Sequence, residues 1–205
     1  MKIDNIFAEP ILTLQRGIDS EKVSEQALML LDERESTLRS GMGATSKRHD
    51  ITPDTLQRKD IPELQEVLSA IQAGIGLYTD QLGMKPLAIT YMWINFNSKG
   101  DYNERHAHPG SVISGAFYIK SPNDSDSPFI LYKDRAASDY NWAQAWKEEA
   151  PTQYWDQIRI PAEDGKLIMF PAYLQHEVPP NRSDDMRISI SFNTQVINEA
   201  DSSQS

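Results

Sequence analysis

The chain contains no cysteine. Disulfides, thiolate metal sites and cysteine nucleophiles are therefore excluded together, and any metal must be held by His, Asp or Glu. Long apolar runs are missing too: no stretch approaches the roughly 20 residues that a membrane span needs. The opening MKIDNIFAEPIL has no extended apolar segment with a cleavage site, so no signal peptide is expected. The expected location is the cytoplasm. Basic charge is scarce: 20 Lys+Arg stand against 30 Asp+Glu, a formal net charge of −10. Such a chain is a poor partner for nucleic acid or an anionic membrane. Internal repeats and low-complexity blocks are also absent. What remains is 205 residues, 39% of them hydrophobic. That is enough to bury the core of one domain without staples.

The hydrophobic period changes along the chain. Ile6, Phe7, Ile11, Leu12 and Leu14 suggest a short strand. Ser20 and Glu21 then open a helical stretch with Val23, Ala27, Leu30 and Leu31 on one face. Residues 39–60 are polar and carry Gly, Ser and Thr, which predicts a loop. Pro62 starts a long amphipathic helix through Leu64, Val67, Leu68, Ile71, Ile75, Tyr78 and Leu82, ending near Gly83. From residue 86 the pattern turns to strands: PLAITYMWINFN, SVISGAFYIK, FILYK, QYWDQIRI, KLIMF and MRISISFNTQV. A polar insert with tryptophans, 135–152, interrupts them, and residues 198–205 read as a disordered tail. Helices followed by short strands predict an α+β, mainly β fold. Helices would pack on one face of a small antiparallel sandwich or barrel.

Three of the four histidines lie in the strand-rich half. His106 and His108 are two apart, so on an extended segment both rings face one side. His176 follows a strand ending in Phe-Pro. Three imidazoles meeting at one point would suit a first-row metal and leave coordination positions open, as a catalytic site requires. Three unrelated histidines would look the same in the sequence. His49, in SKRHD, reads as a surface residue. Eleven positions after His176 comes Arg187, with Ser189, Ser191 and Asn193 on the same face of the last strand. A guanidinium pointing into a barrel needs an anion, and its planar fork fits a carboxylate. An internal ion pair, or an outward-facing Arg187, satisfies the same pattern.

Taken together, His106-x-His108, His176 and Arg187-x-Ser189 resemble the Fe(II)/2-oxoglutarate-dependent dioxygenase superfamily. The stretch WINFNSKGDYNERHAHPGSVISGAFYIKSP, with KLIMFPAYLQHEVPPN and RISISFN, is similar to a branch of 2-oxoglutarate/Fe(II) oxygenases from marine bacteria and cyanophages. The resemblance covers about residues 86–195. It implies a double-stranded β-helix (jelly-roll, cupin-like) core over 86–197, supported by helices in 1–85 and forming one domain over 1–200. It implies Fe(II), 2-oxoglutarate and O₂ as reactants, with succinate, CO₂ and a hydroxylated product. His106, His108 and His176 would be the metal ligands, and Arg187 and Ser189 would clamp the C5 carboxylate. Asn193, Ser191, Asn95 and Tyr118 would line the co-substrate pocket. Substrates would be small molecules or peptidyl side chains. A homodimer through the N-terminal helices follows by analogy only.

The sequence departs from the superfamily at one position. His108 stands where His-x-Asp/Glu members carry an acid. Either three histidines hold the metal, or two do and water fills the third place. If His108 were instead the first ligand, Gly110 would fall at the acid position. Two other readings compete. One is a cupin-type metalloenzyme without 2-oxoglutarate, although HAHPGSVISGAFY lacks the Glu such sites usually add. The other is a non-enzymatic β-sandwich binding module. Trp142, Trp146 and Trp155 suggest a lid, an oligomer contact or packing. The 39–60 and 135–152 segments are the natural places for substrate selection.

Overall fold

The computed structural model describes residues 9–32, 37–38, 47–122, 128–133 and 156–197. The first half supplies β1 (Leu12–Gln15), α1 (Ser20–Asp32), β2 (Thr37–Leu38), β3 (Lys47–Asp50), α2 (Pro53–Gln57) and α3 (Pro62–Leu82). The second half supplies β4 (Leu87–Asn97), β5 (Asn103–His106), β6 (Ile113–Lys120) and β7 (Phe129–Tyr132). It continues with β8 (Gln157–Ile160), β9 (Lys166–Pro171), β10 (His176–Val178) and β11 (Arg187–Val196). Two antiparallel sheets result, in the orders β1-β9-β6-β11-β4-β3-β2 and β5-β10-β7-β8. From β4 onward the chain passes back and forth between them, which is the expected double-stranded β-helix.

The larger sheet buries side chains on both faces. Ile94, Phe96, Phe117, Leu167, Ile190 and Phe192 face the helices and join the buried sides of α1 and α3 in one core. The alternate residues Ala116, Tyr118, Ile168 and Phe170 face the smaller sheet, where Phe129, Leu131 and Ile160 close a second core. Period-2 alternation thus feeds two different interfaces. α3 begins with Pro62 and ends on Gly83, whose φ of 63° supplies the left-handed cap. Leu64, Val67, Leu68, Ile71, Ile75 and Tyr78 form its buried stripe.

Parts of the expected 39–60 loop are ordered elements. β3 pairs with β4 from Lys47↔Phe96 to Asp50↔Trp93. Its KRHD sequence has no strand pattern, because main-chain bonds to a neighbour make it a strand. α2 is a short helix with Pro53 at its start and a reciprocal capping box between Thr52 and Thr55. His49 is not the surface residue expected: it is buried at 7% exposure, opposite Ile94 on the helix-facing side. β5 and β10 are short strands that the pattern did not reveal. Trp142, Trp146, Trp155, the 135–152 insert, residues 1–8 and the 198–205 tail lie outside the described residues.

Candidate metal and co-substrate site

His106 ends β5 and His176 opens β10, and the two are paired across these antiparallel strands. Cross-strand partners point to the same side, so the rings meet with centroids 4.3 Å apart. His108 follows β5. Its main-chain N–H donates to the Ala172 carbonyl at 2.9 Å, which ties it to the turn leading into β10. Its ring centroid lies 5.0 Å from those of both other histidines. One ligand nitrogen from each ring lies within 4.8 Å of the others. No acidic side chain among the described residues joins the group.

Hydrogen bonds set two of the tautomers. His106 Nδ1 lies 2.6 Å from the Glu104 carbonyl, and His176 Nδ1 lies 3.1 Å from the Leu174 carbonyl. A carbonyl only accepts, so each Nδ1 carries the proton and each Nε2 keeps its lone pair. His176 is 4% exposed and packs against Phe170 and Phe129 at ring distances of 4.7 and 5.4 Å. Burial, with His106 and His108 nearby, pushes its pKa down to about 3 despite the Leu174 carbonyl. Burial, then His106 and Arg48, lower that of His108 to about 4. Both rings are therefore neutral at pH 7 and have lone pairs to offer. Three imidazole nitrogens converging on one point fit a first-row divalent cation.

The cavity lies between the two sheets. The inner face of β4 contributes Trp93, Asn95 and Asn97, and β11 contributes Ser189 and Ser191. Tyr118 of β6 lies beside Ser189 in register and also lines it. Trp93 Nε1 donates to Asn95 Oδ1 at 3.0 Å, and Asn95 Nδ2 donates to Ser191 Oγ at 2.9 Å. Asn193 is engaged elsewhere. Its Oδ1 accepts from Ser114 Oγ at 2.7 Å, and it is not part of the cavity wall.

Arg187 belongs to the same alternation of β11 as Ser189 and Ser191 and is 1% exposed, beside Tyr118 but not itself among the residues that line the cavity. Its two terminal nitrogens each lie 3.4 Å from the Pro179 carbonyl. No carboxylate among the described residues forms an ion pair with it. Burial lowers its pKa, opposed by Tyr118 and Asp101. Burial pushes the Tyr118 phenol up to about 12, a shift that the nearby guanidinium opposes. This end of the molecule therefore holds a buried positive charge beside hydroxyl donors.

Three features were missed in the sequence. Asn97 was legible in principle, because it continues the alternation of Trp93 and Asn95 along β4. Phe129 and Phe170, which pack on His176, read only as strand residues. Arg48 gave no signal within SKRHD. Its guanidinium lies over the Trp93 and Tyr91 rings at 4.2 and 4.5 Å, close enough to influence His108.

No described helix is long and apolar enough to cross a membrane. No curated protein matches the chain at a significant level. Among solved structures, a prolyl hydroxylase from Trichoplax adhaerens, bound to a hypoxia inducible factor peptide fragment, is similar at 16% identity and TM-score 0.65. The match covers 90% of this chain and 82% of that one. The epimerase SnoN of nogalamycin biosynthesis, in complex with Fe3+, α-ketoglutarate and nogalamycin RO, gives 16% identity and TM-score 0.64, covering 92% and 79%. A prolyl-4-hydroxylase from Pseudomonas putida gives 13% and 0.60, covering 93% and 94%. At these identities the likeness is one of fold. The family profile described as "Putative 2OG-Fe(II) oxygenase" matches residues 91–193, half of the chain. That span contains the three histidines, Arg187 and the strands that hold them, and the chain belongs to this family of 2-oxoglutarate- and Fe(II)-dependent oxygenases.

Proposed function

We propose that the chain hydroxylates a small molecule or a peptidyl side chain, with Fe(II) held by His106, His108 and His176. The observation that carries this reading is the convergence of three imidazole nitrogens within 4.8 Å, two of them with Nδ1 committed to carbonyls. The same geometry favours three protein ligands over two and a water, since His108 already stands beside the other rings. Gly110 has no side chain to offer and forms a turn with φ of 86°.

When bound, the iron supplies O₂ activation: 2-oxoglutarate becomes succinate and CO₂, and the second oxygen atom enters a substrate C–H bond. The chain's own groups do the rest. Three neutral ligands leave the cation's two charges uncompensated, which favours a dianionic co-substrate. Arg187 offers its planar fork to the C5 carboxylate, and Ser189 and Tyr118 add hydroxyl donors. Phe129, Phe170 and Trp93 keep the cavity partly dry, which strengthens each of these interactions. The net charge of −10 disfavours nucleic acid as substrate. Since Fe(II) and 2-oxoglutarate are reagents of the cell interior, we place the activity in the cytoplasm.

The test is an anaerobic titration of the Fe(II)-loaded protein with 2-oxoglutarate, followed by the visible charge-transfer band of the chelate. Arg187→Ala should keep its iron and lose about 2–4 kcal/mol of co-substrate binding, the worth of one or two charge-assisted hydrogen bonds. An unchanged affinity would remove the clamp from the mechanism.

A further inference from the structure

Asn97 is the last residue of β4, 2% exposed, and one wall of the cavity. Its main chain is fully engaged. It pairs with Arg187 across β4 and β11, and its carbonyl accepts from Asn181 Nδ2 at 3.0 Å. Asn181 is itself 1% exposed and bonded throughout: it also donates from Nδ2 to the Asp185 carbonyl, and it accepts from Ser183 N–H and Gly100 N–H. The backbone at Asn97 is thus clamped from two sides. Its side chain is not. Asn97 Nδ2 is shielded from solvent and has no hydrogen-bond partner among the described residues.

A buried amide donor without an acceptor is rare in a folded protein and calls for a missing partner. The surroundings say what kind. Arg187 lies directly across the strand pair with no described carboxylate bound to it, and Ser189, two residues along β11, and its register partner Tyr118 line the same cavity. Each of these groups can donate, although Ser189 Oγ also accepts from Asn95 Nδ2 at 3.5 Å, and no described acceptor is bonded to the Asn97 amide nitrogen. A carboxylate has about four lone-pair sites, and the Arg187 fork fills two of them.

We propose that Asn97 is a co-substrate-binding residue whose amide N–H completes the cradle for the distal carboxylate of 2-oxoglutarate. The proposal rests on the oxygenase reading above and adds to it a donor from β4, opposite the β11 clamp. Asn181 is the positioning residue that fixes Asn97 and the loop carrying the Pro179 carbonyl.

The experiment is calorimetric titration of the Mn(II)-loaded full chain with 2-oxoglutarate, and in parallel with 2-oxopentanoate. The second compound has the same 2-oxo acid end but a methyl group in place of the distal carboxylate. Asn97→Ala should weaken 2-oxoglutarate binding about tenfold, the loss of one hydrogen bond to a charged group. Asn97→Asp keeps the shape but sets an anion against an anion, and should weaken it more than about a hundredfold. Neither variant should change the affinity for 2-oxopentanoate or for Mn(II). If Asn97→Asp does not fold, Asn97→Ser joins Asn97→Ala in the comparison.

Unchanged 2-oxoglutarate affinity in the Asn97 variants would overturn the proposal, as would an equal loss for both compounds. Arg187→Ala in the same titration separates the two levels. If it weakens 2-oxoglutarate while the Asn97 variants do not, only the role of Asn97 fails. If it too has no effect, the carboxylate cradle fails as a whole.

Discussion

As a proposed ligand, His108 would decide the charge of the metal centre. With an acid at that position the protein would contribute one negative charge, and with imidazole it contributes none. Burial, then His106 and Arg48, already hold His108 neutral at pH 7, and no acidic side chain among the described residues joins the three histidines. If all three rings bind, His106→Ala, His108→Ala and His176→Ala should each bind Fe(II) weakly, read as iron per chain after desalting. Iron retained by His108→Ala alone would indicate two ligands and a water. His106, His108 and His176 were legible in the sequence because the motif depends on spacing, and spacing survives in a linear string. Asn97 was not, because its significance is a missing hydrogen bond, and that exists only once neighbours are placed. Arg48 was hidden for a related reason: its charge acts on His108 through space, and the two lie 60 positions apart in the chain.

The long elements announced themselves and the short ones did not. α3, β4 and β11 each run for ten residues or more with one clear period. β5 (NERH) and β10 (HEV) have three or four residues and no alternation, yet they carry two of the three proposed metal ligands, His106 and His176. They are strands because their neighbours hold them: His176 pairs with His106 on one side and Leu131 on the other. β3 is explained the same way by β4. Close approach between β6 and β11 depends on Gly115. A Cβ there would lie 2.3 Å from the Phe192 ring and 2.8 Å from the Ile168 carbonyl oxygen. Gly115→Ala should destabilise the fold by about 1–3 kcal/mol through overpacking, read as a lowered denaturant midpoint. Because Gly115 also lines the cavity, the same variant should weaken co-substrate binding. A midpoint equal to wild type would show that the two strands have room to spare.

The helices of the first half and the strands of the second share one core, so neither is expected to stand alone. α1 and α3 cover Ile94, Phe96, Phe117, Leu167, Ile190 and Phe192 on the larger sheet. Each such side chain is worth about 1.5–3 kcal/mol when removed from water. A chain starting at Pro86 retains His106, His108, His176 and Arg187, but would expose this face. It should aggregate or lack a cooperative melt, whereas a cooperatively folding fragment would make residues 1–85 an independent addition. The overall architecture was readable in the sequence because it follows from the change of period near residue 86. The division of the larger sheet between two cores was not, since β6 and β9 carry apolar residues on both faces and only the partner layers distinguish them. The holoprotein gives the most direct test of the whole. Anaerobic Fe(II) and 2-oxoglutarate should produce one chelate per chain in the wild type, saturating at a 1:1 ratio, and none in His176→Ala. A wild-type band that persists in His176→Ala, or iron that binds without ever chelating 2-oxoglutarate, would contradict the three-histidine oxygenase site.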